Sequence, residues 1–289
     1  MQLAATPPRL PRAIGTSRIV LRRRERRTVL DELYQQGCAK VRFPRGEIDA
    51  AHESVLINTA GGLTDGDRLD QHVHWQARTR GVITTQAAER IYRSRGAAAT
   101  VESRLQVDAD ASAIWLPQET IVFDGGRLQR GLHATLQPGA TLFASESVVF
   151  GRTAMGECVR QGALADAWHI ERDGQPLFID RFAIDDVVDG DLSQWRAQPV
   201  TMAGGLAMMT IVIVATELAQ YVEPARAALE ACNVHAGVSN LGAVLLMRVV
   251  SDDASALRDT LQRLFFCIQS VAAADNPLRG VAMPRAYFC

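Results

Sequence analysis

The stretch that decides the fold reads Leu56-Ile57-Asn58-Thr59-Ala60-Gly61-Gly62-Leu63-Thr64-Asp65-Gly66-Asp67-Arg68-Leu69. In it an apolar run breaks into a turn and then resumes as an alternating segment. Gly61, Gly62 and Gly66 allow the positive φ angles that a tight reversal needs, and the flanking residues favour strands. The pattern predicts a strand, a structural turn and a second strand. Because Asp65 and Asp67 stand at the rim, the turn also suits a bound ligand, and both interpretations stay open.

Short alternating runs continue on both sides of this stretch. Between residues 53 and 184 they are separated by glycine or proline turns, such as Asp124-Gly125-Gly126 and Gln137-Pro138-Gly139. Helical periodicity is almost absent from this region. The pattern predicts a mainly β protein with a large antiparallel, twisted or rolled body.

Residues 193–289 follow a different pattern. Residues 208–215 and 243–250 are apolar and β-branched, as in buried strands. Each is followed by an apolar helical stripe, and Asp253 is a candidate N-cap for the second. The first stripe contains Leu218, Val222, Ala225, Leu229 and Cys232, and the second contains Leu257, Leu261, Leu264, Ile268 and Val271. We expect two strands and two helices that pack against the β-rich body.

The expected organisation is a single domain, residues 17–289, after a flexible leader, residues 1–16, that contains three prolines. The domain divides into the β-rich body (17–192) and the strand-helix-strand-helix part (193–289). Residues 18–27 contain six arginines. They indicate either a solvated edge strand or a docking patch for an acidic partner surface. Residues 28–33 and 41–43 are expected to form a hairpin around Gln35-Gln36-Gly37.

Composition limits the class of protein. The 289 residues are 47% hydrophobic and 22% charged, which predicts a folded chain. A formal charge of −1 provides no net field for nucleic acid or an anionic membrane. The five cysteines form no Cys-x-x-Cys pair, and no signal-like or membrane-length apolar segment occurs. We therefore expect a cytoplasmic protein without a nucleic-acid or membrane partner.

Three carboxylates alternate with apolar residues. Glu146 falls on one strand face with Leu142 and Val148, Asp180 shares a face with Phe178 and Phe182, and Glu119 shares one with Trp115 and Ile121. An unpaired ionised carboxylate in apolar surroundings costs several kcal/mol, so each needs a cation, a hydrogen bond or water. Arginine partners such as Arg90, Arg93 or Arg152 are one explanation. A shared wet interior, which a divalent cation crosses through weak oxygen contacts, is the other.

Histidines and enzyme motifs offer competing interpretations. His72 and His74 point the same way on a strand, but they fall on its more polar face, where a solvent-exposed pair is the simpler explanation than a metal site. Residues 237–242 miss the G-x-S-x-G nucleophile elbow by one residue, and no phosphate-binding loop is present. The sequence therefore does not predict an enzyme. The alternative that we retain is a β-structured hydrolase that uses paired carboxylates from among Asp67, Glu119 and Asp180.

Several ordered blocks resemble the signatures of the urease accessory protein D family (UreD, also called UreH). The blocks are Asn58-x-x-Gly61-Gly62-Leu63-x-x-Gly66-Asp67-Arg68-Leu69, Thr84-Thr85-Gln86-Ala87-Ala88, Tyr92-Arg93-Ser94, Trp115-Leu116-Pro117-Gln118-Glu119-Thr120-Ile121-Val122-Phe123-Asp124-Gly125 and Gly151-Arg152-x-Ala154-Met155-Gly156-Glu157. Their order over about a hundred residues is far more specific than a single glycine motif. The resemblance implies a stacked, β-helix-like body with a pair of helices.

The resemblance also implies a function in metallocentre assembly. Proteins of this family are thought to bind apo-urease, to recruit UreF and through it the GTPase UreG, and to provide a passage for nickel. The residues that match the family's polar positions are Asp67, Ser94, Glu119, Glu146 and Asp180. Scattered carboxylates release nickel more readily than thiolates or imidazoles, so this set suits a conduit without a tightly bound cofactor. The expectation is a non-catalytic chaperone of urease maturation.

Overall fold

The protein folds into two β-sheets and a layer of helices. The computed structural model describes residues 11–44, 51–152, 155–185 and 190–288. The strands are β1 (Ile14–Arg24), β2 (Arg27–Gly37), β3 (Ala39–Arg42), β4 (His52–Asn58), β5 (Arg68–Trp75), β6 (Arg80–Thr85), β7 (Glu89–Ile91), β8 (Ala99–Val107), β9 (Ser112–Leu116), β10 (Thr120–Val122), β11 (Gly126–Leu136), β12 (Thr141–Phe150), β13 (Gly162–Arg172), β14 (Gln175–Asp185), β15 (Ala207–Val214), β16 (His235–Asn240) and β17 (Leu245–Ser251). The helices are α1 (Leu192–Ala197), α2 (Ala219–Glu230) and α3 (Ala254–Gln269), and a 3-10 turn follows at Arg285–Phe288.

Successive coils of the chain stack on one another. The first sheet has the order β14-β13-β11-β8-β5-β1-β2, and the second has the order β16-β17-β15-β12-β9-β6-β4-β3, with β7 and β10 attached beside β12. Each coil passes from the first sheet to the second and back, so that β5, β8, β11 and β13 are adjacent and parallel. The arrangement is β-solenoid-like, and it confirms the expectation of a mainly β, β-helix-like protein.

The antiparallel part of that expectation holds only at the ends. The central coils pair in parallel, whereas β1–β2, β3–β4 and β13–β14 pair antiparallel, as do the pairs that join β12, β15, β17 and β16. Alternation in a sequence reports which face of a strand is buried, not the direction of its neighbours. The coils also differ in length, because Arg68 pairs with Thr100, Ala99 with Leu128, and Gly126 with Gly162. The sequence therefore shows no internal repeat of fixed length that would reveal the solenoid.

The predicted hairpin at residues 35–37 is wrong. β2 instead forms a hairpin with β1 around Glu25, which has a φ of +56°, and β3 pairs with β4 in the other sheet. The arginine-rich β1 lies between β2 and β5, so the edge strand is β2. The turn chemistry of Gly37, with a φ of +61°, redirects the chain between sheets rather than reversing it within one.

The helices cover the outer face of the second sheet. Leu257, Leu261, Leu264 and Ile268 of α3 are at most 4% exposed and pack with Phe143, Met209 and Ile211. Burial of each such side chain contributes about 1.5–3 kcal/mol. β15 is buried on both faces, as predicted, because it lies between the helices and the first sheet. β17 was also predicted to be a buried strand, but it is fully buried only on the face toward the helices. The sequence did not predict β16 or the short helix α1.

The described residues begin just before β1. Residues 1–10 of the predicted leader lie outside the described residues, as does Ala154 of the last signature block, and β1 already begins at Ile14. In the described ranges, no helix combines the length and the apolar character that crossing a membrane requires.

Candidate functional site

A charged cluster lies between the two sheets. Arg130 on β11, Glu146 on β12 and Asp166 on β13 are each 6% exposed. Nη1 of Arg130 lies 2.6 Å from Oε2 of Glu146, and its Nη2 lies 2.6 Å from Oδ2 of Asp166. Nε1 of Trp115 donates to Oε1 of Glu146 at 2.9 Å. One guanidinium is therefore held by two carboxylates that come from opposite sheets.

The cluster carries one more negative than positive charge. Burial raises the pKa of Glu146, Arg130 lowers it, and the nearby Asp166 raises it again. Burial also opposes the charged form of Arg130, but the attraction of Asp166 and then of Glu146 outweighs burial and raises the pKa of the guanidinium. Arg130 therefore stays charged, and burial favours protonation of Glu146.

A cavity of about 130 Å³ lies between the same sheets. Ser17 and Gln71 line it from the first sheet, and Asn58, Thr85 and Glu89 line it from the second. Nδ2 of Asn58 donates to both carboxylate oxygens of Glu89, at 3.1 and 3.2 Å. Burial is the largest influence on Glu89 and raises its pKa. Polar and apolar side chains share the lining of the cavity, which has room for several water molecules.

The segment from Gln118 to Thr120 links the cavity to the charged cluster, with one hydrogen bond at each end. Oγ1 of Thr85 accepts from the backbone nitrogen of Gln118 at 2.8 Å. Two residues later, Oγ1 of Thr120 accepts from Nη1 of Arg130 at 3.2 Å. The side-chain nitrogen of the buried Gln118 has no hydrogen-bond partner among the described residues. Buried side-chain donors in native proteins are usually hydrogen-bonded, so this amide stands out in the interior. We call the following residues the polar layer: Asn58, Thr85, Glu89, Gln118, Thr120, Arg130, Glu146 and Asp166.

The glycine turn lies beside this cavity. Gly61, Gly62 and Gly66 have φ angles of +77°, +146° and +69°. A Cβ on Gly62 would lie 2.8 Å from the backbone oxygen of Arg90 and 2.3 Å from Cε2 of Tyr92, so this position strongly disfavours any side chain. Asp67 is buried and braces the turn, because its carboxylate accepts from the backbone nitrogens of Ala13 and Thr64, each at 2.8 Å.

Ser94 also has a local role in the structure. The carbonyl oxygen of Ala97 lies 2.6 Å from its Oγ, and the hydroxyl donates to the carboxylate of Asp65. This hydrogen bond from Ser94 lowers the pKa of Asp65. Asp67 and Ser94 therefore brace turns outside the polar layer.

Glu119 and Asp180 form half-buried ion pairs. Oε1 of Glu119 lies 2.7 Å from Nη2 of Arg258 on α3, and Oδ2 of Asp180 lies 2.7 Å from Nη2 of Arg248 on β17. Glu119, Ser147 and Tyr287 line one small pocket, and burial and then Glu119 raise the pKa of Tyr287. Asp180 instead joins the two sheets at one edge.

The partners of these carboxylates differ from those expected. Arg90, Arg93 and Arg152 do not pair with them: Arg93 pairs with Asp124, and Arg152 pairs with Glu157 at 2.9 Å. Alternation along one strand shows that a carboxylate points inward, but it does not show which arginine stands opposite in another coil. Of the five predicted passage residues, Glu146 alone belongs to the polar layer.

Sequence reasoning missed Arg130, Asp166, Asn58, Glu89 and Gln118. A usable signal existed for the first two, since Arg130 alternates with Leu128 and Leu132, and Asp166 alternates with Leu164 and Trp168. The pairing of these two strands places Arg130 directly opposite Asp166. Asn58 and Gln118 stand in the signature blocks, but no alternation marks them or Glu89 as inward-facing, because the three lie at strand ends or in turns.

The histidine pair lies on the outer face of the first sheet. Nε2 of His74 is 2.8 Å from Oδ2 of Asp108. Burial, and then Arg104 and Arg18, lower the pKa of His72. Across the described ranges, no three histidine, cysteine, aspartate or glutamate side chains are grouped closely enough to hold a metal ion.

Fold and interior together define a class: a β-solenoid-like protein with helices on one face and a buried, ion-paired polar layer. The sequence profile of the UreD urease accessory protein family matches residues 13–280. This chain belongs to that family.

Individual relatives agree over nearly the whole chain. A urease accessory protein UreD from Chelativorans sp. (strain BNC1) is 42% identical over 259 residues, which cover 89% of this chain and 90% of the relative. The urease accessory protein UreD of Rhizobium rhizogenes is 37% identical over 287 residues, 99% of each chain. That of Azorhizobium caulinodans is 34% identical over 283 residues, 98% of this chain and 99% of the relative.

Proposed function

We propose that this urease accessory protein is a non-catalytic chaperone of urease maturation. It binds apo-urease, recruits UreF and through it UreG, and gives nickel a polar passage to the urease active site. Family membership supports the maturation role. The observation that carries the passage is the polar layer, which lies between the two sheets beside large apolar clusters.

The chemistry of the polar layer suits transit rather than storage. The atoms in the layer that could bind a metal ion are carboxylate, hydroxyl and amide oxygens, which bind nickel weakly and exchange it readily. Glu89 and Glu146 are the carboxylates of the layer that burial makes easier to protonate. Nickel binding to either carboxylate releases any proton that the group holds.

Arg130 is a resident cation in this passage. Its guanidinium already satisfies Glu146 and Asp166, so a nickel ion that reaches these carboxylates must displace it. Thr120 and the carbonyl oxygen of Ser147, at 3.2 and 3.4 Å from Nη1, remain as acceptors when the guanidinium moves away from Glu146. In this proposal Arg130 closes the passage when no ion is present.

The hydrolase alternative is less well supported. Paired acid–base catalysis requires two carboxylates that reach one substrate. Asp67 holds backbone nitrogens, Glu119 is paired with Arg258, and Asp180 is paired with Arg248, so the three do not converge.

Co-purification tests the binding part of the proposal. A tagged chain is expressed with the urease structural subunits, UreF and UreG from one organism, and complexes are resolved by size. We expect the tagged chain to elute with the urease subunits and UreF, and UreG to join only when UreF is present. Elution of the chain by itself under every co-expression would contradict the proposed partners.

A further inference from the structure

Arginines gather at one end of the solenoid. The hairpin between β1 and β2 contributes Arg23, Arg24, Arg26 and Arg27, the loop before β6 contributes Arg78, and β6 begins with Arg80. Arg279, from the segment after α3, completes the group. Nη1 of Arg80 donates to the carbonyl oxygen of Arg279, and Nη1 of Arg23 donates to that of Arg78 at 3.0 Å. We call these seven side chains the arginine pole.

The guanidiniums of the arginine pole are not paired with carboxylates in the part of the chain that the structure describes. Across the described ranges, no carboxylate lies within salt-bridge distance of any of the seven guanidiniums. Asp31 is close by, but it pairs with Arg22 at 3.0 Å, and Glu25 offers Arg23 only its backbone carbonyl oxygen. The contacts that the pole does make are to neutral carbonyl oxygens.

Arg80 is the most constrained member. It is half-buried, and the only charged groups that shift its pKa are Arg279 and Arg23, both cations. After burial, which is the largest influence, these two neighbours lower the pKa of Arg80 further. Because the whole chain has a net charge of −1, this local excess is a segregation of charge rather than a general property of the surface.

An arrangement of like charges costs free energy in the isolated protein, and anionic groups that bridge the guanidiniums relieve it. We propose that the arginine pole is the docking surface for a carboxylate-rich segment of a protein partner. This inference is independent of the nickel passage, which runs between the sheets.

The geometry and charge of the arginine pole favour a carboxylate-rich protein segment as its ligand. Arg23, Arg78 and Arg279 are exposed and lie on three separate chain segments, so they present an open surface rather than an enclosed pocket. Separate carboxylates spaced along a chain match guanidiniums that are spaced in the same way, and each can form a paired, bidentate contact. Charge complementarity of this kind mainly raises the association rate and selects the partner.

The test uses the full chain and a short fluorescein-labelled oligoglutamate peptide, with binding followed by fluorescence anisotropy. We expect the variant R23E/R80E/R279E to bind the peptide at least about tenfold more weakly than the wild type, a loss of about 1.4 kcal/mol. Because Arg80 is half-buried, R23E/R279E repeats the measurement with exposed positions only. Wild-type binding should also weaken steeply with added salt, since the Debye length is only about 10 Å at 0.1 M.

The matched control is R181E, which reverses an exposed arginine on β14, at the far edge of the first sheet. It should bind the peptide as the wild type does. Equal affinity in wild type and R23E/R279E would overturn the proposal. So would displacement of the peptide by inorganic phosphate at equal charge concentration, or tighter binding of a DNA duplex than of the peptide.

Discussion

Removal of Arg130 should destabilise the protein far more than neutralisation of Glu146. In R130M, a side chain of similar length leaves Glu146 and Asp166 facing each other at 6% exposure without a cation. Breaking a buried ion pair from one side costs about 3–5 kcal/mol. At about 2–4 °C per kcal/mol for a chain of this size, the melting temperature should fall by roughly 6–20 °C.

In E146Q the outcome differs, because Arg130 keeps two contacts with Asp166, at 2.6 and 3.1 Å. The cluster becomes neutral, and Nη1 of Arg130 still has Thr120 as an acceptor. E146Q loses one charged hydrogen bond, but it also removes the repulsion between Glu146 and Asp166. The net loss of stability should therefore be about 1–2 kcal/mol at most.

The two variants also predict a pH dependence. The folded-state pKa of Glu146 is raised, chiefly by burial, so the folded protein binds its proton more readily than the unfolded chain. The stability of the wild type relative to E146Q is therefore greatest below the ordinary glutamate pKa of 4.5 and declines as pH rises through the folded-state pKa.

Urea unfolding of wild type, R130M and E146Q at matched pH values measures these differences. Unfolding of R130M at the same urea concentration as the wild type would contradict these predictions, as would lower stability of E146Q than of R130M. A difference between wild type and E146Q that grows as pH rises would contradict the predicted pH dependence.

Three further substitutions test the fold around the polar layer. G62A should lower the free energy of unfolding by about 3 kcal/mol or more, because a Cβ would lie 2.3 Å from Tyr92. G61A has a φ of +77° but open space around it, so its loss of stability should be only about 1–2 kcal/mol. Equal melting temperatures of the two variants would contradict this. L261D places a charge on the buried face of α3, where the side chain is 4% exposed, and thermal unfolding should show a loss of several kcal/mol of stability. R263D, on the exposed side of the same helix, should unfold near the wild-type temperature. Y287F removes the hydroxyl that donates to the carbonyl oxygens of Leu116 and Pro117, at 3.2 and 2.7 Å, and should cost about 0.5–1.5 kcal/mol in chemical denaturation; an unchanged midpoint would show that this hydroxyl does not anchor the C-terminal turn.

Local patterns predicted the elements more accurately than their arrangement. The stripe from Leu257 to Ile268 defines α3, and the continuous apolar run in β15 correctly indicates burial on both faces. By contrast, the direction of β5, β8 and β11 depends on how whole coils stack, and no local signal records it. Gly37 shows the same limit, since a positive φ fits both a hairpin and a change of sheet.

The candidate site shows why inward-facing charge is easier to predict than its partner. Glu146 was identified from its own strand, but Arg130 and Asp166 meet it through contacts between different coils. The arginine pole is a similar case. Residues 18–27 are visibly basic in sequence, yet Arg80 and Arg279 join them only because the fold brings three distant segments together.

The passage through the polar layer is the central claim, and nickel in the matured urease tests it most directly. Urease is co-expressed with UreF, UreG and either the wild-type chain, E146Q, E89Q or the control E223Q, whose exposed glutamate lies on α2. Nickel per urease active site is then measured by mass spectrometry in samples whose accessory complex co-elutes intact. We expect E146Q and E89Q to lower nickel content, with E223Q at the wild-type value. Wild-type nickel content in both interior variants would contradict the passage.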